Sequence, residues 1–141
     1  MRKRALKCMT VLGRVTTLLP LLALFSCVPL PKRFAKADVI GTYEIQYPFG
    51  TETLVLNEDT YEQRFVDKTG KVFTANGKWT FDSTARQNQG ALENAMNICD
   101  GFGNFASTTP QQGRHLITFA WHGGTVIPIN DDKDFYMRKA K

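Results

Sequence analysis

Serine, histidine and cysteine are scarce in this chain of 141 residues, and their scarcity closes off much enzyme chemistry. The three serines, Ser26, Ser83 and Ser107, carry no G-x-S-x-G signature. The two histidines, His115 and His122, lie seven apart, so on one continuous strand they would face opposite sides. No cysteine stands near them to complete a metal site. Asp131, Asp132 and Asp134 lack the spacing and the glycine of a calcium loop, and Lys133 interrupts them, so they read as a solvated turn. Carboxylates are abundant, but pairing two of them for acid–base work takes spatial knowledge. No catalytic residue, metal or cofactor is expected, and the chain does not read as an enzyme.

Acidic residues are missing altogether before Asp38. Five of the 18 bases (Arg2, Lys3, Arg4, Lys7 and Arg14) fall before Cys27. From Cys27 onward 13 bases face 13 acids, and from Asp38 onward 10 face 13. The net charge of +5 therefore belongs to the N-terminus, and a basic patch for nucleic acid is excluded. A long apolar run is missing too. Val15 to Phe25 is apolar or uncharged, but eleven helical residues rise only about 16 Å against a hydrocarbon core of roughly 30 Å. A basic head, a short apolar run and then small residues make a secretory signal peptide.

That run ends in Leu24-Phe25-Ser26-Cys27, which resembles the lipobox of bacterial lipoproteins. The resemblance implies diacylglycerol on the Cys27 sulfur, cleavage before Cys27 and acylation of the new amino terminus. Two or more acyl chains hold a protein stably at a membrane, where one holds it only marginally. Conventional cleavage after Ala35-Lys36-Ala37 and an uncleaved anchor extended by Val28 to Leu30 are the alternatives. The division expected is a signal peptide over 1–26, a lipidated cysteine and Pro-containing tether over 27–37, and one domain over 38–141. Val28, where an aspartate would retain such a lipoprotein at the inner membrane, implies outer-membrane delivery if the source is Gram-negative. Cys99 is left alone and is expected to be buried; without lipid on Cys27, a Cys27–Cys99 disulfide becomes open.

From Val39 the apolar period is two. Tyr43, Ile45 and Tyr47 alternate with polar residues; Leu54 with Leu56, and Tyr61 with Gln63 and Phe65, do the same. Pro48-Phe49-Gly50, Asn57-Glu58-Asp59 and Lys68-Thr69-Gly70 mark turns, and Asn76-Gly77 reads as a hairpin or bulge. Trp79 and Phe81 face the core of the next strand. Residues 91–99 fit either a helix or a strand. His115 to Trp121, Val126 to Ile129 and Phe135 to Arg138 complete about eight strands, with Pro128 marking an edge or bulge. The expectation is an all-β antiparallel meander, closed as a small barrel or stacked as a sandwich, with room for one short helix.

Gly41-Thr42-Tyr43, Leu54-Val55-Leu56 and Gly77-Lys78-Trp79 are similar to the G-T-[WY], L-x-L and G-x-W features of lipocalin-like envelope domains. The resemblance implies a barrel able to hold one small ligand. Gly101 and Gly103 space Phe102 and Phe105 in a loop that either lines the barrel mouth or plugs its end. Phe102, Phe105, Tyr43, Trp79 and Trp121 are the candidate contacts for a ligand or partner. The function expected is a lipid-anchored envelope module that binds or supports another envelope component, or else a carrier of a small apolar molecule.

Overall fold

The computed structural model describes residues 32–83 and 88–141; the expected signal peptide, Cys27 and the first residues of the expected tether lie outside them. Nine antiparallel strands form one nearly closed, barrel-shaped sheet. They are β1 (Gly41–Tyr47), β2 (Gly50–Leu56), β3 (Thr60–Asp67), β4 (Val72–Asp82), β5 (Gln89–Glu93), β6 (Arg114–Thr118), β7 (Ala120–Trp121), β8 (Thr125–Asn130) and β9 (Phe135–Lys139). A four-residue helix, α1 (Lys36–Val39), precedes them, and a short 3-10 turn spans Asp131–Lys133. The expected all-β meander is present.

Alternation dictates the inner face. Tyr43, Ile45 and Tyr47 on β1, Leu54 and Leu56 on β2, and Tyr61, Gln63 and Phe65 on β3 are buried, with exposed or half-buried residues between them. Turn chemistry fixes the register. The Asp67 carboxylate accepts from the Thr69 and Lys71 amides, and Gly70 takes the positive φ (84°) that the β3–β4 turn requires. Pro128 sits beside a register shift between β8 and β9, the expected bulge.

Strand order around the sheet is β6-β5-β4-β3-β2-β1-β9-β8-β7. Its two ends are consecutive in sequence. His115 to Trp121, expected as one strand, breaks at Phe119: β6 pairs with β5, and β7 pairs with β8. One run of chain thus belongs to both edges and nearly closes the barrel. Phe119 is buried, its ring against those of Tyr43, Trp79 and Phe81. Beyond this point β6 and β8 are not hydrogen-bonded to each other, which leaves a seam.

Both barrel ends carry chain. At one end, Phe34 and Val39 are buried and Lys36 bonds to Asp59 at 2.8 Å. Within the expected tether, Phe34 and Lys36 therefore hold residues 32–37 to the domain, while the others in that range stay exposed. At the other end, Phe105 packs edge to face with Phe49 of the β1–β2 turn, with ring centroids 5.4 Å apart. Residues 94–113 cross this end, burying Ala95, Met96 and Ile98. The ambiguous 91–99 stretch resolves as strand up to Glu93. Asn94, at φ 57°, then ends it.

Asn76-Gly77 makes no turn, contrary to expectation. Both lie inside β4, because pairing with β3 runs unbroken from Val72 to Lys78. Gly77 is there for closeness: a β-carbon would sit 2.7 Å from the Glu93 carbonyl and 3.0 Å from the Tyr61 ring. Tyr61 donates to that same carbonyl at 2.7 Å. Gly77→Ala should therefore lower stability by about 1–3 kcal/mol in equilibrium urea unfolding. An unchanged midpoint would contradict the close approach.

Candidate functional site

β2 turns one acid inward. Glu52 shares the face of Leu54 and Leu56 and is only 5 % exposed. It pairs in register with Ile45 on β1 and Phe65 on β3, so Tyr47 and Gln63 are its diagonal neighbours. Long side chains on one sheet face reach across that diagonal. Tyr47 Oη donates to Glu52 Oε2 at 2.7 Å, and Gln63 Nε2 donates to Glu52 Oε1 at 2.7 Å. The Gln63 amide also pairs with the backbone of Met96, donating to its carbonyl at 3.0 Å and accepting from its N–H at 2.8 Å. Gln63 thus ties the buried acid to the segment that crosses the barrel end.

Among the described residues no cation lies within ion-pair reach of Glu52. The ion pairs there join Lys36 to Glu58 and Asp59 on the surface. Burial holds the Glu52 carboxyl above its ordinary range, against the opposing pull of the Gln63 and Tyr47 hydrogen bonds. Burial also raises the Tyr47 phenol, helped by the neighbouring Glu52 charge. Cys99 is half-buried and donates to the Asp100 carbonyl; burial, then Asp100 and Glu52, push its thiol up. A raised thiol is a poor nucleophile.

These groups line a cavity of about 250 Å³. Its walls are mixed: Leu54, Leu92 and Met137 from the sheet and Met96 and Ile98 from the crossing segment are apolar, and Asn97, His115 and Thr118 add polar groups. It reaches the seam, where Leu116 and Ile117 of β6 and Ile127 and Ile129 of β8 line it. Leu116 is 67 % exposed at that margin. A wider groove of about 800 Å³ runs outside β3 and β4. Its charged residues (Glu62, Arg64, Lys78 and Glu93) are all solvated, so it holds nothing comparable to Glu52.

The aromatic residues singled out from sequence separate into two groups. Tyr43 and Trp79 are packed in the core, their polar atoms donating to the carbonyls of Val39 and Asn57 at 2.7 Å each. Neither presents a face to a partner. Phe102 is 76 % exposed, Phe105 52 % and Trp121 53 %. Phe102 and Phe105 share the 100–105 loop, which the Asp100 carboxylate fastens through the Phe102 and Asn104 amides. Asn130 and Lys133 dock it by donating to the Gly101 and Phe102 carbonyls. The end of the barrel is plugged by Ala95, Met96 and Ile98, with only Phe105 of the two loop aromatics leaning on Phe49 and Phe65. Trp121 carries the Lys32 ammonium 3.4 Å from its ring centroid.

Sequence reasoning passed over Glu52. The available signal was its parity with Leu54 and Leu56, which places it inside. His115 lines the cavity and His122 bonds to Tyr136 Oη at the β7–β8 turn. Among the described residues no group of three or more His, Cys, Asp or Glu is placed to hold a metal, and no helix is long and apolar enough to cross a membrane.

No family model, curated protein or solved structure matches this chain.

The raised Glu52 pKa has a sign for stability. The folded chain binds this proton more tightly than the unfolded chain does. Its stabilising contribution is therefore full below the unfolded value of about 4.3 and is lost as pH rises through the folded value. Measured by urea unfolding, the stability of the wild type relative to Glu52→Gln should fall as pH rises from about 4 and then level off. A difference independent of pH would contradict an elevated Glu52.

Proposed function

We propose that this chain is a lipid-anchored lipoprotein of the bacterial cell envelope, held through acylated Cys27, whose barrel serves as a binding or structural module. The basic head, the short apolar run and Leu24-Phe25-Ser26-Cys27 support the anchor. One structural observation supports the division of labour. The chain before β1 reaches the barrel at the end where Lys36 meets Asp59, while exposed Phe102 and Phe105 occupy the end at Phe49. Attachment from the N-terminal side leaves those aromatics free for another envelope component. Exposed aromatic side chains on a fastened loop supply apolar area at small entropic cost.

A second reading, a carrier of a small molecule, is favoured by the cavity beside Glu52. Its volume of about 250 Å³ falls below the roughly 300–1,000 Å³ of drug-sized sites. It suits a small ligand and leaves no room for a long acyl chain.

Intact-mass analysis of the protein extracted from membranes tests the anchor. A chain starting at Cys27 with added acyl mass is expected. A chain starting at Asp38, or one retaining residues 1–26 without added mass, would overturn it.

A further inference from the structure

Glu52 is a costly thing to place inside an apolar barrel. A buried carboxylate without a counter-charge is unfavourable unless it is neutralised or paired. Tyr47 and Gln63 meet part of its demand, one hydrogen bond to each oxygen. An ionised carboxylate has about four acceptor positions, so about two stay unfilled by protein. Among the described residues no lysine or arginine pairs with it. The cavity it lines offers an apolar side at Leu54, Leu92, Met96 and Met137, has Asn97, His115 and Thr118 elsewhere on its wall, and reaches the seam between β6 and β8. What this arrangement lacks is a small positive charge carried on an apolar body.

We propose that the cavity beside Glu52 binds a small organic ammonium ion, with the ammonium donating to the Glu52 carboxylate and its hydrocarbon part lying among Leu54, Leu92, Met96 and Met137. The proposal rests on the small-molecule carrier reading and names its ligand class. Size sets the scale. At about 30 Å³ for a water's share of liquid volume, the cavity of about 250 Å³ accommodates roughly eight non-hydrogen atoms. A straight-chain primary amine of about six carbons fits that volume. Gln63 and Tyr47 orient the carboxylate from either side, so the acid is fixed before the ligand arrives. Where Glu52 holds its proton in the empty cavity, the arriving ammonium displaces that proton to solvent. The other titratable groups at the cavity, Tyr47, Cys99 and His115, carry no negative charge that competes for the ammonium at neutral pH. A carboxylate ligand meets the opposite situation: a second acid beside Glu52, with no lysine or arginine on the cavity wall to receive it.

The test is isothermal titration of the full-length protein in mild detergent at neutral pH with hexylamine, hexan-1-ol and hexanoate. A charge-assisted hydrogen bond should make hexylamine bind roughly ten- to a hundredfold more tightly than hexan-1-ol. Hexanoate should bind more weakly than either. Glu52→Gln, which keeps the size of the side chain and lets its amide oxygen accept from Gln63 and its amide nitrogen donate to Tyr47 Oη, should bring hexylamine down to the level of hexan-1-ol. If hexan-1-ol or hexanoate binds the wild type as tightly as hexylamine, the ammonium assignment is overturned and the carrier reading stands. If none of the three binds, both are overturned. The comparison within the wild type needs no variant, so a misfolded Glu52→Gln would not shelter the proposal.

Discussion

Between Thr118 and Ala120 the chain leaves one edge of the sheet and joins the other, and the barrel depends on that transfer. The Phe119 amide donates to the Asn88 carbonyl at 3.0 Å, so the residue between β6 and β7 is held as well as buried. Asn88 extends the same hold outward. Its buried side-chain oxygen accepts from the Phe34 amide, and its nitrogen donates to the Lys32 carbonyl. A φ of 48° suits Asn better than most residues. One residue therefore joins the strand crossing to the segment that closes one barrel end. An open nine-stranded sheet would leave two long edges to pair with other chains. Here the two edges are brought side by side, β7 pairing with Thr125 and Val126 of β8, and what stays open is the seam between β6 and β8.

The seam and the buried acid belong together. Were β6 and β8 hydrogen-bonded along their length, the space behind Ile117 and Ile127 would be sealed, and Glu52 would be enclosed with no route to a partner. Because they diverge, an ionisable group sits deep in the barrel yet adjoins a cavity that reaches the margin. Tyr47 and Gln63 meet part of the polar demand, and the rest appears as the upward displacement of the Glu52 carboxyl. Buried acids displaced in this way gather at functional sites more often than elsewhere. The core around it is otherwise a packed set of aliphatic and aromatic side chains that a charged group can only weaken.

Much of the architecture is legible in the chain. Around β1, β2 and β3, period-two alternation and turn residues agree, and the strands follow. At Asn76-Gly77 local turn chemistry lost, because β3 offers an uninterrupted partner and Gly77 is needed for proximity to Glu93 and Tyr61. The break at Phe119 left no mark on the alternation from His115 to Trp121; a change of partner is a tertiary event. Residues 91–99 fitted a helix as well as a strand because Leu92 on the strand and Ala95 and Met96 on the crossing segment fall at helical spacing, though each is buried for its own reason. Gln63 was placed on the inner face from its neighbours. Glu52 had the same claim by parity, but a charged residue is ordinarily assigned to solvent, and only the diagonal contacts with Tyr47 and Gln63 explain why this one is inside.

Amide hydrogen exchange at Phe119 tests the closure of the barrel most directly. If the strands unfold as one unit, the Phe119 amide should exchange with the same free energy of opening as the slowest amides of β3. Exchange at Phe119 and along β7 and β8 that runs orders of magnitude faster than in β3, with β3 still protected, would contradict it and leave an open sheet in place of a barrel.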